Sequence, residues 1–316
     1  MQLDFTVSAS RLKSFRTGTV AVPDAAAIFR IEGPGALACL QGLLTSDLAA
    51  ADDHSLTYGA LLTPKGMIVV DPWVFRERER FTLLLAGSAR GIAAELLRRV
   101  LPPRLAQITD LTEEWSAAWL LGSCGLERFA RANGCPLPAP AKVVSVGNAL
   151  LGAGPPGAPF SALLAGPAAE LEAMLERAGV ERGTEAALAA TRVLAGWPTL
   201  GREIDERTLP QEVRYDELGA VSYVKGCYTG QETVARVHFR GHVNRTLRGI
   251  RLPGAEPLED RTLRTEEREV GTIRTALLLE DHTLALALVR REVENGVTLL
   301  VGQREATVVG LPFEPT

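Results

Sequence analysis

The sequence has few cysteines, and their spacing excludes several kinds of site. Its four cysteines, Cys39, Cys124, Cys135 and Cys227, form no Cys-x-x-Cys pair. This pattern is typical of reduced thiols in a cytosol and disfavours a zinc site or a protein-borne cluster. We therefore expect no metal site built by this chain alone.

Long apolar segments are also missing. The apolar stretch 149–169 is interrupted by four glycines and four prolines, which predicts loops and a short strand, not a membrane span. Asp4 stands where a signal peptide would be apolar, so we expect a cytoplasmic protein. With 46% hydrophobic and 23% charged residues, a pI near 5.7 and a net charge of -4, the chain fits a soluble globular protein that is not a general polyanion binder.

Standard motifs of nucleotide and hydrolase chemistry are absent. The sequence has no glycine-rich phosphate loop, no nucleophile elbow and no Ser/His/Asp order. His238 and His242 have metalloprotease spacing, but Gly241 is expected to end the helix between them and no glutamate supplies a base. A zinc hydrolase is therefore not indicated.

Lysine is scarce, which draws attention to each one present. Only four of the 34 basic residues are lysines: Lys13, Lys65, Lys142 and Lys225. Lys65 lies in the turn Thr63-Pro-Lys-Gly66 and is predicted to be a turn residue, not a catalyst. Lys225 is expected to be used for its compact, titratable amine, because arginine supplies positive charge elsewhere.

The segment 222–236, SYVKGCYTGQETVAR, holds the most reactive group of residues. Thr229 and Glu232 have the spacing of a capping box, which predicts a helix beginning at Thr229. Cys227 would then precede a helix N-terminus and lie near Lys225, so we predict an acidic thiol. Gly226 would leave the sulfur uncovered. The alternative is that Cys227 is a small buried hydrophobic residue, as most free cysteines are.

Periodicity predicts an α+β protein of several domains. Residues 56–75 are predicted to form a hairpin, followed by a strand over 81–86 and a helix over 88–101. Residues 112–181 have the order strand, helix, two strands (142–151 and 160–165), helix, typical of a ferredoxin-like unit. A helix is predicted over 184–195, and five short strands after Gly241 predict a small barrel or sandwich. The predicted domains are 1–111 with 182–241, then 112–181, then 242–316.

Two charged stretches have alternative interpretations. Residues 233–255 contain no acid but five arginines: Arg236, Arg240, Arg245, Arg248 and Arg251. They could attract an anion or form a solvated face, and RNA binding is less favoured because no aromatic-rich strand accompanies them. The acids Glu203, Asp205, Glu206 and Glu212 could bind the edge of an amino-heterocycle or form a solvated loop.

The octapeptide Lys225-Gly-Cys-Tyr-Thr-Gly-Gln-Glu232, with Ala235-Arg236, closely resembles the signature of the YgfZ family of folate-binding proteins. The similarity continues along the chain in Leu43-Leu-Thr-Ser-Asp47, Leu61-Leu-Thr-Pro-Lys-Gly66, Arg192 to Gly196, Pro198, Pro210 and Leu311-Pro-Phe313. The same order is similar to the glycine-cleavage aminomethyltransferases, to which that family is related.

The resemblance implies an aminomethyltransferase-like folate-binding fold, with a ferredoxin-like subdomain and a C-terminal small β-barrel. It implies tetrahydrofolate or a folate derivative as cofactor. It also implies a role in assembling or repairing iron-sulfur clusters in client enzymes, including tRNA-modifying enzymes. The expected partners are these clients or assembly factors, and the expected state is a monomer without membrane or nucleic-acid partners.

Two positions differ from the transferases. Leu194 stands where their Arg-x-Glu-Ala-Gly segment has a pterin-contacting glutamate, and the strand 81–86 is not followed by their acidic base. We therefore expect weaker folate binding and no ordinary aminomethyl transfer.

The first hypothesis is folate-dependent iron-sulfur maintenance through Cys227, with Lys225 tuning the thiol. The loop would be shaped by Gly226, Tyr228, Thr229, Gly230, Gln231 and Glu232. The residues expected to bind folate are Asp47, Tyr58, Arg192, Glu212, Tyr223 and Arg236. The alternatives are a folate-dependent one-carbon transferase and an interaction scaffold that uses the arginines.

Overall fold

The computed structural model describes residues 3–314, and its α-helices are short. They are α1 (Ala9–Thr17), α2 (Ala36–Gln41), α3 (Arg90–Val100), α4 (Gly125–Asn133), α5 (Ala168–Ala178), α6 (Glu185–Ala195) and α7 (Gln231–Arg240). Turns of 3-10 helix occupy Gly87–Ala89 and Pro210–Val213. In the described range, no helix combines the length and the apolar character needed to cross a membrane.

The strands alternate with these helices along the chain. They are β1 (Asp4–Thr6), β2 (Val20–Asp24), β3 (Ala27–Glu32), β4 (His54–Tyr58), β5 (Leu61–Leu62), β6 (Ile68–Val70), β7 (Trp73–Glu77), β8 (Arg80–Leu85), β9 (Gln107–Asp110), β10 (Trp115–Leu121), β11 (Val143–Val146), β12 (Ala149–Ala153), β13 (Ala162–Pro167), β14 (Glu181–Arg182), β15 (Arg245–Pro253), β16 (Thr262–Arg264), β17 (Glu269–Leu278), β18 (His282–Arg290), β19 (Thr298–Val301) and β20 (Arg304–Val309).

The first sheet has the order β4-β7-β8-β3-β9, and the predicted hairpin forms part of it. The arm β4–β5 turns at Thr63, whose carbonyl accepts from Gly66 N at 2.9 Å, and returns as β6–β7. Side chains alternate across the sheet because its repeat is two residues. Phe81 and Leu83 therefore pack under α2 and α3, whereas Leu84 faces the centre of the molecule.

The second sheet has the order β11-β12-β13-β10-β2-β14, with α4 and α5 packed on its outer face. The single strand predicted over 142–151 is wrong, because residues 147–148 turn and divide it into the hairpin β11–β12. The sheet also extends beyond 112–181, because β2 pairs with β10 from Ala117↔Asp24 to Leu121↔Val20.

The third sheet is a closed six-stranded barrel in the C-terminal region. Its order is β17-β16-β19-β20-β15-β18, and pairing of β17 with β18 closes it. The five predicted strands are confirmed, and β16 is a sixth strand that was not predicted. Strand β1, near the start of the chain, pairs with β17 in parallel. Along β18 the alanines Ala285 and Ala287 fill the barrel, and Leu284, Leu286 and Leu288 point outward.

Each of the three sheets therefore has one face that packs within its own unit and one face that meets the other sheets. The faces that meet share one central core, with Leu84 from the first sheet, Trp119 from the second and Leu286 from the outer surface of the barrel. Helix α6 enters this core and ends at Gly196, where a left-handed φ of 64° turns the chain. Trp197, the next residue, is thereby placed in the centre.

Candidate functional site

A cavity of about 90 Å³ lies in this central core. Three of the four tryptophans of the chain, Trp73, Trp119 and Trp197, line it. The remaining lining residues are Asp24, Tyr58, Asp71, Leu84, Leu85, Ala86, Arg192, Pro198, Thr199 and Leu200. The cavity is therefore built by the first two sheets together with α6 and the segment that follows it.

The aromatic rings hold one another in fixed orientations. Trp73 stacks on Trp197 with centroids 5.5 Å apart and planes 19° apart, and Tyr58 lies 4.9 Å from Trp73. Phe160 meets both Trp73 and Trp119 edge-on at 4.9 Å. Such pairs add to the free energy gained by burial, so these ring contacts stabilise the walls of the cavity.

Asp71 is the central acid of the cavity. Tyr58 donates a hydrogen bond of 2.7 Å to Asp71 Oδ2, and the Tyr215 hydroxyl lies 3.3 Å from the same oxygen. Burial raises the pKa of Asp71 to about 6, although these hydrogen bonds and the charge of Arg192 lower it. Near neutral pH this carboxylate can therefore accept a hydrogen bond or a proton.

A second acid and a cation complete the polar part of the cavity. Asp24 Oδ2 accepts from Trp119 Nε1 at 2.6 Å, and the Arg192 guanidinium lies 5.0 Å from the centre of the Trp119 ring. Burial raises the pKa of Asp24, and the attraction of Arg192 opposes this. Indole faces beside two carboxylates can hold a flat heterocycle that carries N–H groups.

The end of β8 supplies only apolar side chains to the cavity, namely Leu84, Leu85 and Ala86. The two carboxylates come instead from the end of β2 and from the connection between β6 and β7. No motif in the sequence predicted a role for Asp24, Asp71, Trp73, Trp119, Trp197 or Tyr215. The scarcity of tryptophan was the available signal, because rare large residues that share one core are candidates for a built site.

A second cavity of about 420 Å³ lies on the other side of Phe160. Leu194 and Phe313 line it, and Phe313 N donates to Leu194 O at 2.9 Å. Leu194 therefore belongs to this apolar cavity and not to the lining of the tryptophan cavity. Phe160 lines this second cavity, and its ring contacts Trp73 and Trp119 of the tryptophan cavity.

Lys225 anchors the signature loop to another part of the chain. Its ammonium group donates to Leu44 O at 2.9 Å and Ser46 O at 2.8 Å, and lies 5.3 Å from the centre of the Tyr228 ring. Burial lowers the pKa of Lys225 to about 8, while the negative charge of Asp47 acts in the opposite direction. The amine thus contacts two carbonyls, and its predicted effect on the thiol stays a prediction.

Cys227 is exposed, as predicted, but the predicted helix start is wrong. Helix α7 begins at Gln231, with Gly230 as its N-cap, and no side chain caps it. Gly230 has a φ of 82°, and a Cβ there would lie 2.6 Å from Thr63 O. Close packing on the 63–66 turn therefore sets the helix start in place of a Thr229 cap.

The other motif residues shape the loop. Gly226 is exposed, whereas Tyr228 is buried and its pKa is raised by burial to about 12. Thr229 N donates to Gly42 O at 3.1 Å. Gln231 and Glu232 form the first turn of α7, and the Glu232 side chain is exposed.

Of the six residues expected to bind folate, Tyr58 and Arg192 line the tryptophan cavity. Asp47 instead accepts hydrogen bonds from Gln41, Ala49 and Ala50. Burial would raise the pKa of Asp47, but these hydrogen bonds outweigh it and the pKa is lowered.

The remaining three expected residues lie elsewhere. Glu212 accepts from Arg245 Nε at 3.0 Å and from Leu209 N at 3.0 Å, so its carboxylate is already used. Tyr223 lies outside the tryptophan cavity and stacks on His238 of α7, and Arg236 is exposed on the same helix. In residues 3–314, no group of three or more His, Cys, Asp or Glu side chains could hold a metal ion.

Comparison with known proteins agrees with this architecture. A family model described as the GCVT N-terminal domain matches residues 17–125. The crystal structure of glycine cleavage system aminomethyltransferase T from Bartonella henselae matches with a TM-score of 0.83 and 20% identity, covering 96% of this chain and 89% of that one. The expected aminomethyltransferase-like α+β fold with a C-terminal barrel is confirmed.

Curated relatives match over most of the chain. The tRNA-modifying protein YgfZ of Cronobacter sakazakii is 29% identical over 302 residues, which are 92% of this chain and 89% of that protein. The proteins of the same name from Klebsiella pneumoniae and Edwardsiella ictaluri are 30% and 32% identical, over 83% and 79% of this chain and 82% and 78% of their own lengths. With the signature loop, the central cavity and these alignments taken together, the chain belongs to the YgfZ family.

Proposed function

We propose that this protein binds tetrahydrofolate or a related folate and supports the assembly or repair of iron-sulfur clusters in client enzymes through Cys227. Membership of a family whose relatives are named tRNA-modifying proteins supports tRNA-modifying enzymes as clients. The observation that carries the proposal is the tryptophan cavity, which is connected by hydrogen bonds to the loop that presents Cys227.

The cavity has the chemistry that a pterin requires. An amino-pyrimidine edge presents N–H donors, which Asp71 and Asp24 can accept, and the indole faces can cover its ring. At about 90 Å³ the cavity is smaller than common ligand pockets of roughly 300–1,000 Å³. Movement of Phe160 would join it to the 420 Å³ cavity beyond, so we expect Phe160 to turn when folate binds.

Thr45 connects the cavity to the loop. Its fully buried hydroxyl donates to Ala220 O at 2.6 Å and accepts from Ala60 N at 2.8 Å. Ala60 follows Tyr58, a residue of the cavity wall, by two positions. Thr45 O accepts from Ser222 N at 2.8 Å, and Lys225 bonds the carbonyls on either side. A displacement of the Tyr58 strand would therefore reach the loop of Cys227 through buried hydrogen bonds, which weaken when distorted.

The folate proposal is tested by calorimetric titration of tetrahydrofolate at pH 7. Asp71→Asn should weaken binding by about tenfold to a hundredfold, because a charge-assisted hydrogen bond is lost. Asp110→Asn removes a carboxylate that pairs with Arg90 outside the cavity, and it should bind as the wild type does. Equal affinity of the wild type and Asp71→Asn would contradict the proposed site.

The thiol proposal is tested in cells that depend on this chain for the activity of an iron-sulfur enzyme. Cys227→Ala should abolish that support while the protein keeps its melting temperature. Cys124→Ala, which removes the other exposed cysteine, should leave support unchanged. Full support by Cys227→Ala would remove the thiol from the mechanism.

A one-carbon transferase is the second candidate, favoured by Asp71 with its pKa of about 6 inside the cavity. A carboxylate of that pKa can act as a base near neutral pH. Purified protein supplied with methylenetetrahydrofolate, water and an acceptor thiol would then release tetrahydrofolate above background as the carbon passes to the thiol as a hydroxymethyl group, and Asp71→Asn would not.

A further inference from the structure

The loop of Cys227 and helix α7 form one surface with unusual exposure. Val224 is 94% exposed and Phe239 is 66% exposed. Tyr223 joins them, because its ring stacks on His238 at 3.7 Å and meets Phe239 edge-on at 5.9 Å. We call Tyr223, Val224, His238 and Phe239 the loop–helix patch.

The patch is held rigidly. The Tyr223 hydroxyl bonds Asp216 and accepts from Gln211 Nε2 at 3.2 Å, and Asp216 also lies 3.4 Å from His238 Nδ1. Lys225 is tied to Leu44 and Ser46, so the residues on both sides of it are presented outward. A surface fixed in this way loses little conformational entropy when a partner binds.

Positive charge borders the patch. Arg236 and Arg240 are exposed on α7 and, in the described range, make no ion pair, whereas Arg214 and Arg245 pair with Glu217 and Glu212. No acidic residue occurs over 233–255. The acidic groups nearby are Asp216, which contacts Tyr223 and His238, and Glu232 at the start of α7. The positive charge is therefore local to Arg236 and Arg240, where an acidic side chain of a partner can pair.

We propose that the loop–helix patch, with Arg236 and Arg240, is a docking surface for an acidic protein segment that carries apolar side chains. An aliphatic side chain as exposed as Val224 fits an apolar pocket of a protein and cannot stack on a base. One face of the Tyr223 ring is already covered by His238. Aromatic residues beside arginine are typical of the centres of protein interfaces.

Cys227 is exposed three residues after Val224 in the same loop, so a segment docked on Val224 would bring its own residues toward the sulfur. This extends the proposed function by naming the chemistry of the client surface. The test below uses neither folate nor a client enzyme. Its failure is therefore distinguishable from failure of the function proposed above.

The experiment is disulfide tethering at Cys227 in a cysteamine and cystamine buffer. Three synthetic peptides share one cysteine and the same leucines and differ in carrying glutamates, serines or lysines, and a 5′-thiol decauridylate is the fourth probe. Occupancy of each cysteine at equilibrium is measured by peptide mass mapping. Cys124 is exposed in different surroundings and serves as the internal control.

The glutamate peptide should occupy Cys227 about tenfold more strongly than the lysine peptide, with no such preference at Cys124. The double variant Arg236→Glu, Arg240→Glu should remove or invert this preference, whereas Arg98→Glu, Arg99→Glu on α3 should preserve it. The double variant Val224→Ser, Phe239→Ser should lower the occupancy of Cys227 by the leucine-containing peptides about fivefold. Its occupancy by the decauridylate should stay unchanged.

Equal occupancy by the three peptides at Cys227, or the same preference at Cys124, would overturn the proposal. Decauridylate occupancy equal to or above that of the glutamate peptide would assign the face to nucleic acid and would also overturn it. The comparison among probes is made on the wild-type protein, so a variant that fails to fold does not affect it.

Discussion

The tryptophan cavity and the Cys227 loop are built by opposite means. In the cavity, polar groups are buried and paired, as in Asp71 with Tyr58, and aromatic rings cover them. In the loop, Val224 and Cys227 are exposed, whereas Lys225 and Tyr228 are buried and hold it in place. The cavity is thus suited to recognise a small molecule by exclusion of water, and the loop to meet a macromolecule. Thr45 is bonded to Ala60, two residues from Tyr58 of the cavity, and to Ser222 of the loop segment.

The largest expected difference between the two regions is in stability. Trp73→Ala should lower the free energy of unfolding by about 3–5 kcal/mol, because it leaves a void in the central core. Val224→Ala should change it by less than about 0.5 kcal/mol, because the side chain is 94% exposed. Urea denaturation of both variants tests this, and similar losses would mean that the loop is packed after all.

The next effect concerns the contact between the loop helix and the 63–66 turn. Gly230→Ala should destabilise the fold by about 2–3 kcal/mol, because it adds a clash with Thr63 O to the strain of a positive φ. Gly296 has a φ of 87°, and a Cβ added there would meet no atom within 4 Å. Gly296→Ala should therefore lower the free energy of unfolding by only about 1 kcal/mol. Equal melting temperatures for the two variants would show that the turn does not set the helix start.

Asp71 makes the stability of the cavity depend on pH. Its pKa is about 6 in the folded protein against 3.8 for a free side chain, so the folded state holds the extra proton between these values. Stability from this group is present at low pH and is lost as pH rises through 6. Relative to Asp71→Asn, the wild type should lose about 2 kcal/mol between pH 4.5 and 7.5.

Unfolding free energies of the two proteins, measured in urea at several pH values, check this. Parallel profiles for the wild type and Asp71→Asn would mean that the carboxyl group is not held in the apolar surroundings described here.

The smallest expected loss of stability distinguishes the helix start predicted at Thr229 from the one observed at Gln231. A threonine N-cap contributes about 1 kcal/mol to the free energy of unfolding. If Thr229 capped α7, Thr229→Ala would lower the stability by that amount. Because no side chain caps this helix, we expect a loss below about 0.5 kcal/mol. Ser8→Ala, which removes the side chain that accepts from Arg11 N at the start of α1, should cost more. A melting temperature shift larger for Thr229→Ala than for Ser8→Ala would favour the capping box.

Local patterns predicted much of the architecture. The barrel strands β15, β17 and β18 follow alternation of side chains, and the 63–66 turn follows proline and glycine, because these signals act between neighbours in the chain. The strand predicted over 142–151 was wrong because both arms of the hairpin are apolar and hide the turn between them.

The sequence by itself determined the family and most of the order of the elements, because a contiguous motif and local periodicity carry this information. It favoured an exposed Cys227 over a buried one, and the structure decided between them. Only the tertiary structure decided that Asp24, Asp71 and three tryptophans share one cavity, that Glu212 is taken by Arg245, and that Lys225 anchors its loop. These residues are brought together because three sheets pack face to face. Contacts between residues far apart in the chain produce no local pattern that could be recognised in a single sequence.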